Sequence, residues 1–213
     1  MVGNLGKIHN EFSSEIESKP DVVINLYNKY TLTFNNINEF KSKDELLFFI
    51  EITWIYLKAI FQKDYYNETI DVTIKKLQLI NKEIERLKAP DLKNDTYNAI
   101  LLIQGMATYN LKDYKNSTPI FKYLSSIDPK NDNFRNWLNY SSYGQKLWLV
   151  NSINILCGLL IIIYFFSKEI IEIFEIRISI LGIAMLGLFS NWGYEYYIKK
   201  SFRKTTEKKF NFK

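Results

Sequence analysis

From Leu147 to Phe166 the chain reads Leu-Trp-Leu-Val-Asn-Ser-Ile-Asn-Ile-Leu-Cys-Gly-Leu-Leu-Ile-Ile-Ile-Tyr-Phe-Phe, twenty residues without one charged side chain. As a helix it would extend about 30 Å, the thickness of a bilayer's hydrocarbon core. Thirteen of these residues are Leu, Ile, Val or Phe, which together favour insertion by roughly 4 to 8 kcal/mol. Asn151 and Asn154 reduce that gain without cancelling it. A second stretch, Ile178 to Ile198, is uncharged through Tyr194. The pair predicts a transmembrane hairpin with spans at 147–166 and 178–198, and everything else in the chain has to be arranged around it.

Charge placement orients the hairpin. The net charge of +5 divides after Lys146 into 19 Lys and Arg against 18 Asp and Glu up to and including it, and 9 against 5 beyond it. The tail 199–213 alone holds seven cations and one Glu, among them Lys199, Lys200, Arg203 and Lys204. Lys and Arg near span ends stay on the cytoplasmic side, so both termini are expected in the cytosol, with Arg177 and Glu195 snorkelling at the two ends of the second span. The tail's mix of cations and aromatics suits anionic headgroups as well as topology fixing. Since the basic excess belongs to the tail, no nucleic-acid-binding face is expected on the main domain. The first ten residues lack an apolar core, so no secretory signal is expected. The connecting run Ile170-Ile-Glu-Ile-Phe-Glu-Ile-Arg alternates apolar and charged residues and is expected to lie flat in the outer interface.

The first 146 residues read as helices. Leu5, Ile8, Phe12 and Ile16 recur at helical spacing, and Pro20 suits the first turn of a second helix with Val23, Leu26, Tyr27 and Tyr30 inward. Residues 1–41 thus form an N-terminal helix pair, closing in a polar loop from Asn35 to Lys41. Ser42 and Glu45 have capping-box spacing and open a helix to about Gln62. That helix is apolar almost all round, and Glu51 and Lys58 make it a central buried helix rather than a span. Ile70, Ile74, Leu77, Ile80, Ile84 and Leu87 mark one stripe on the next helix. After Pro90 a cap is expected at Asp95, and a later one at Asp132.

The stretch from Asn98 to Asn131 carries the run Leu102-Ile-Gln-Gly-Met-Ala-Thr-Tyr-Asn-Leu-Lys-Asp-Tyr-Lys-Asn-Ser-Thr-Pro-Ile-Phe-Lys-Tyr-Leu-Ser-Ser-Ile-Asp-Pro. It resembles a tetratricopeptide repeat, a helix-turn-helix unit of about 34 residues. In that register Gly105 and Ser117 occupy the small positions, Phe121 the aromatic wedge, and Pro129 the stop of the second helix. Leu101, Gln104, Thr108 and Leu124 depart from the usual Trp, Leu, Tyr and Ala. Ala59 to Thr69 echoes Ala107 to Ser117, with its Lys-Asp-Tyr placed one residue earlier. The resemblance implies an all-α, repeat-like domain over 42–146, clearest at 98–131 with a capping helix at 132–146. It also implies a partner groove lined by Ala99, Leu102, Met106 and Tyr109, an apolar lining suited to a hydrophobic peptide. Neighbouring helices covering that lining is the open alternative.

Within the spans, Asn151, Asn154 and Gly158 share one face, and Ser179, Gly182, Ser190 and Gly193 share another. Small residues and amides let helices approach and hydrogen-bond in lipid. Two readings stand: the faces pack the hairpin on itself, or they assemble subunits into a homo- or hetero-oligomer or line a polar path. Cys157 is the only cysteine and His9 the only histidine, so no disulfide, thiol metal site or cofactor is expected. A His-based nucleophile pair would need His9, on a helix expected to be mobile. No phosphate loop, nucleotide fingerprint or nucleophile elbow occurs, and every Asp and Glu has a place on a solvated face. The expectation is a non-catalytic membrane adaptor, with a permeabilising membrane effector as the rival. Richness in Lys, Asn, Ile and Tyr fits an AT-rich bacterial genome, hence an inner membrane.

Overall fold

The computed structural model describes residues 5–166 and 174–207. Among these residues there are eight α-helices, one short 3₁₀ turn at Pro90–Leu92 and no strand, as the helical periodicity requires. Two compact units divide at Asp128, the first Met1–Asp128 and the second Pro129–Lys213.

In the first unit, α1 (Leu5–Ser14), α2 (Pro20–Asn35), α3 (Lys43–Gln62), α4 (Tyr66–Arg86), α5 (Asp95–Asn110) and α6 (Tyr114–Ile127) follow one another with short turns. Helix α3 is the core: α1, α2, α4 and α5 all pack on it, which is why its apolar residues run almost all round. Leu46, Ile50, Ile52, Leu57 and Ile60 are completely buried there. Helix α5 in turn packs on α3, α4 and α6. Pro20 opens α2 as expected. Ser42 accepts from the Glu45 N–H at 3.2 Å, while the Glu45 carboxylate reaches back to the Lys41 N–H at 2.8 Å.

Two caps fall one residue earlier than the sequence suggests. The Asn94 side chain, not that of Asp95, accepts from the N–H groups of Thr96 and Tyr97. Asn131 likewise takes the place expected of Asp132, accepting from Asn133 and Phe134. In each case the residue just outside the helix has the extended reach a cap needs, and the acid becomes the first helical residue.

The stripe on α4 is also turned. Thr69 and Thr73 are buried, whereas Ile74 is 42% exposed. The two threonines donate to the carbonyls of Tyr65 and Thr69 four residues back. With the hydroxyl satisfied locally, their small bodies let α4 lie close against the bulky α3. The loop after α2 is less polar than its composition suggests, for Ile37 and Phe40 are both buried.

Helices α3, α4 and α5 end alike. Asp64, Lys88 and Lys112 adopt left-handed φ values of 60°, 51° and 63°. The following N–H groups of Tyr65, Ala89 and Asp113 return to the carbonyls of Ile60, Ile84 and Thr108, the six-to-one bond of a Schellman cap. Asp64 and Lys112 therefore correspond, and the echo of residues 59–69 in 107–117 needs no gap. Ala59 matches Ala107 and Thr69 matches Ser117, all four buried. Across each turn an aromatic pair repeats as well, Phe61 with Tyr66 at 5.5 Å and Tyr109 with Tyr114 at 5.2 Å.

In the second unit, α7 (Asp132–Phe166) is one helix of 35 residues that runs on unbroken through Gly144, the residue expected from sequence to bend the chain before the first span, and α8 (Phe174–Glu207) packs on it antiparallel. Among the described residues one 18-residue stretch is long and apolar enough to cross a membrane, Leu149–Phe166 in α7. The second expected span, 178–198, is helical within α8, but Ser190, Asn191 and Glu195 dilute its apolar character. The connecting run is helix rather than loop from Phe174 onward; its part before Phe174 lies outside the described residues. The tail is helical through Glu207, and 208–213 lie outside the described residues.

Candidate functional site

Where α7 and α8 meet, they lie close together at Gly187: a Cβ built there would stand 2.6 Å from the Cys157 Sγ. Around it Val150, Cys157 and Ala184 are buried. One turn further along α8, the Asn191 amide donates to the Val150 carbonyl at 3.1 Å and to the Asn154 Oδ1 at 2.9 Å. In lipid, with no competing water, such bonds hold helix register.

Of the residues singled out from the sequence, Asn154 enters this contact. Gly158 is half-buried, and a Cβ on it, on Gly182 or on Gly193 would meet nothing within 4 Å. Asn151, Ser179, Gly182, Ser190 and Gly193 are exposed. On α8 the contact face is Ala184, Gly187 and Asn191, about 130° around the helix from the expected one. That face was missed because Ala184 and Gly187 are ordinary in an apolar run. Their signal is Asn191, placed to answer Asn154.

Away from the contact the pair is oily. Only 11% of the Leu149–Phe166 window is buried, and Ile155, Leu159 and Phe166 on α7 and Ile183, Leu186 and Phe189 on α8 are exposed. Towards the end of α8 the character changes to aromatic and basic. Trp192 lies 6.3 Å from Tyr196, and the Lys200 ammonium stands 5.8 Å over the Tyr196 ring. On the helical register of α8, Lys199, Arg203 and Lys204 fall on the same side as Lys200.

The expected groove in the first unit is filled. Leu102 and Met106 are buried, and Ala99 and Tyr109 are half-buried. The reason is the company α5 keeps, with α3, α4 and α6 all against it. At the α5–α6 crossing a Cβ on Gly105 would come within 2.7 Å of the Phe121 ring, and Phe121 and Ser117 are both completely buried.

Two side chains, His9 and Glu83, sit differently from what the sequence suggests. His9 is not on a loose helix: α1 packs on α3, the imidazole stacks on Phe48 at 4.7 Å, and its Nε2 bonds Glu51. Ser13 Oγ approaches that same nitrogen at 3.3 Å. A Ser-His-acid relay needs the acid and the hydroxyl on opposite ring nitrogens, so this is a structural pair. Glu83 is fully buried rather than solvated. Its carboxylate accepts from the Phe40 N–H at 2.9 Å and from Arg86, and Arg86 in turn donates to the Phe40 carbonyl. The Arg86 guanidinium, helped by the Phe40 N–H, holds the Glu83 carboxyl below the usual range. Lys76 lies 5.2 Å over the Phe49 ring, and burial brings its amine down to about 8.

Among the described residues no three His, Cys, Asp or Glu converge as metal ligands would. No family model, curated protein or solved structure matches the chain.

Proposed function

We propose that this chain is a non-catalytic membrane-anchored adaptor. Its helical-hairpin domain, similar to tetratricopeptide repeats, binds a partner protein at the cytosolic face of a bacterial inner membrane, and α7 and α8 cross the bilayer as a two-span hairpin with both termini cytosolic. The observation that carries the reading is the Leu149–Phe166 stretch, of which only 11% is buried. A helix that apolar is stable in water only inside a protein core, so its exposed sides call for lipid. The Gly105–Phe121 crossing and the repeated turn of residues 59–69 and 107–117 support the repeat-like reading. Because Leu102 and Met106 are in the core, the partner surface passes to exposed apolar residues such as Tyr123 and Ile127, one turn apart on α6 and 45% and 46% exposed.

The test is purification of the full chain in mild detergent. A stoichiometric partner protein, lost on Tyr123→Lys with Ile127→Lys, is the expected result. Repeated recovery of the chain alone would overturn the adaptor.

One observation favours a second reading, that several hairpins assemble and permeabilise the bilayer: Asn151, Gly182, Ser190 and Gly193 lie outside the α7–α8 contact. Dye entry on overexpression, abolished by Asn151→Leu with Gly193→Leu, would favour it. Normal growth with dye excluded would leave the adaptor.

A further inference from the structure

Helix α8 does not stop where its apolar part stops. It continues to Glu207, so the first cations of the tail follow a helical register. Tyr196, Lys200 and Lys204 follow at steps of four. Lys199, Lys200, Arg203 and Lys204 fall within an arc of about 140°, and Trp192 and Tyr196 lie under the same arc. Lys200 is exposed and its ammonium stands over the Tyr196 ring, which joins the aromatic layer to the cationic one. Measured from Tyr196 along the axis, the pair at 199 and 200 stands about 5 to 6 Å up and the pair at 203 and 204 about 11 to 12 Å. A leaflet's headgroup layer is about 5 to 7 Å deep. The first pair is therefore at phosphate level when the ring is at the hydrocarbon boundary, where Trp and Tyr settle. The second pair faces the layer's outer edge.

We propose that this side of α8 is a binding surface for anionic phospholipid of the cytosolic leaflet, with Tyr196 against the upper acyl chain and Lys199 and Lys200 on the headgroup phosphate. Arg203 and Lys204 add longer-range attraction. Charge complementarity commits the surface to lipid: four cations against a single Glu occupy residues 199–207, and a zwitterionic headgroup offers them no net charge to meet. The inference rests on the membrane-spanning reading above.

The test uses the full-length chain in phosphatidylcholine vesicles containing a low fraction of phosphatidylglycerol, with bromine on the acyl chains of one lipid or the other. Tryptophan quenching then reports which lipid adjoins the helix. Brominated phosphatidylglycerol should out-quench brominated phosphatidylcholine at equal mole fraction by about fivefold or more, the ratio that about 1 kcal/mol per cation represents. The preference should vanish when Lys199, Lys200, Arg203 and Lys204 are all changed to Gln. It should survive Lys199→Arg with Lys200→Arg, which also shows that the altered tail still inserts. Equal quenching by both lipids in the unaltered chain, or a preference that survives the four Gln changes, would overturn the headgroup surface and leave the anchor standing. Absence of quenching by either lipid would instead overturn the membrane reading itself.

Discussion

A carboxylate with no access to water persists only where its oxygens are fully engaged, and Glu83 is engaged by a backbone N–H and a guanidinium that also closes on the Phe40 carbonyl. The three residues pin the loop after α2 to α4. Glu83→Ala should cost about 2 to 3 kcal/mol, towards the low end for a buried pair because Arg86 reaches solvent, and chemical denaturation would measure it. The carboxyl's depressed proton affinity fixes the pH dependence. Its contribution is complete above the ordinary carboxylate range, about pH 4, and is lost as pH falls through the lower folded value. The melting difference between the native chain and Glu83→Gln should thus shrink on acidification. Nothing in the sequence announced this, since Glu83 and Arg86 are spaced like any solvated pair on a helix. Gly105 was legible by contrast, because the resemblance to a tetratricopeptide repeat puts it at the small position where two helices cross. Gly105→Ala should destabilise by about 1 to 2 kcal/mol, overpacking against Phe121 outweighing the better helix propensity.

Elements were easier to read than their orientations. The positions of α1, α2 and α3 follow from apolar spacing and from Pro20 and Ser42. The rotation of α4 does not, because Thr69 and Thr73 win the core by small size and a local hydrogen bond, which hydropathy ignores. The contact face of α8 was misplaced for a related reason: small residues occur all round that helix, and only the Asn191–Asn154 bond selects among them. The turns between helices can be tested directly. Lys88 and Lys112 hold left-handed backbone at a cost of about 1 kcal/mol that glycine does not incur. Lys88→Gly and Lys112→Gly should each raise stability by about 0.5 to 1 kcal/mol, visible as a higher melting midpoint. For the hairpin, the 2.6 Å from a built Gly187 Cβ to the Cys157 Sγ makes Gly187→Cys a disulfide partner for the chain's one native thiol. Mild oxidation should yield an intramolecular crosslink, read as a mobility shift without dimer. A dimer, or free thiols, would mean that α7 and α8 pack through other faces.

The division at Asp128 places the aqueous core and the oily helices in separate units, and each should answer to its own solvent. Residues 1–128 bury Phe12, Phe34, Phe40, Phe49 and Phe121 with their own helices, enough for a domain of this size to fold alone. Expressed without the hairpin, they should be soluble, helical and cooperative in melting. The complete chain should stay with the membrane pellet through alkaline or high-salt washing and leave it only in detergent, because exposed Leu, Ile and Phe on α7 and α8 have no partner in water. The two outcomes are independent. An aggregated or non-cooperative 1–128 fragment would show that the first unit needs the second to fold, without touching the anchor. A complete chain left in the supernatant after sedimentation would remove the anchor, whatever the fragment does.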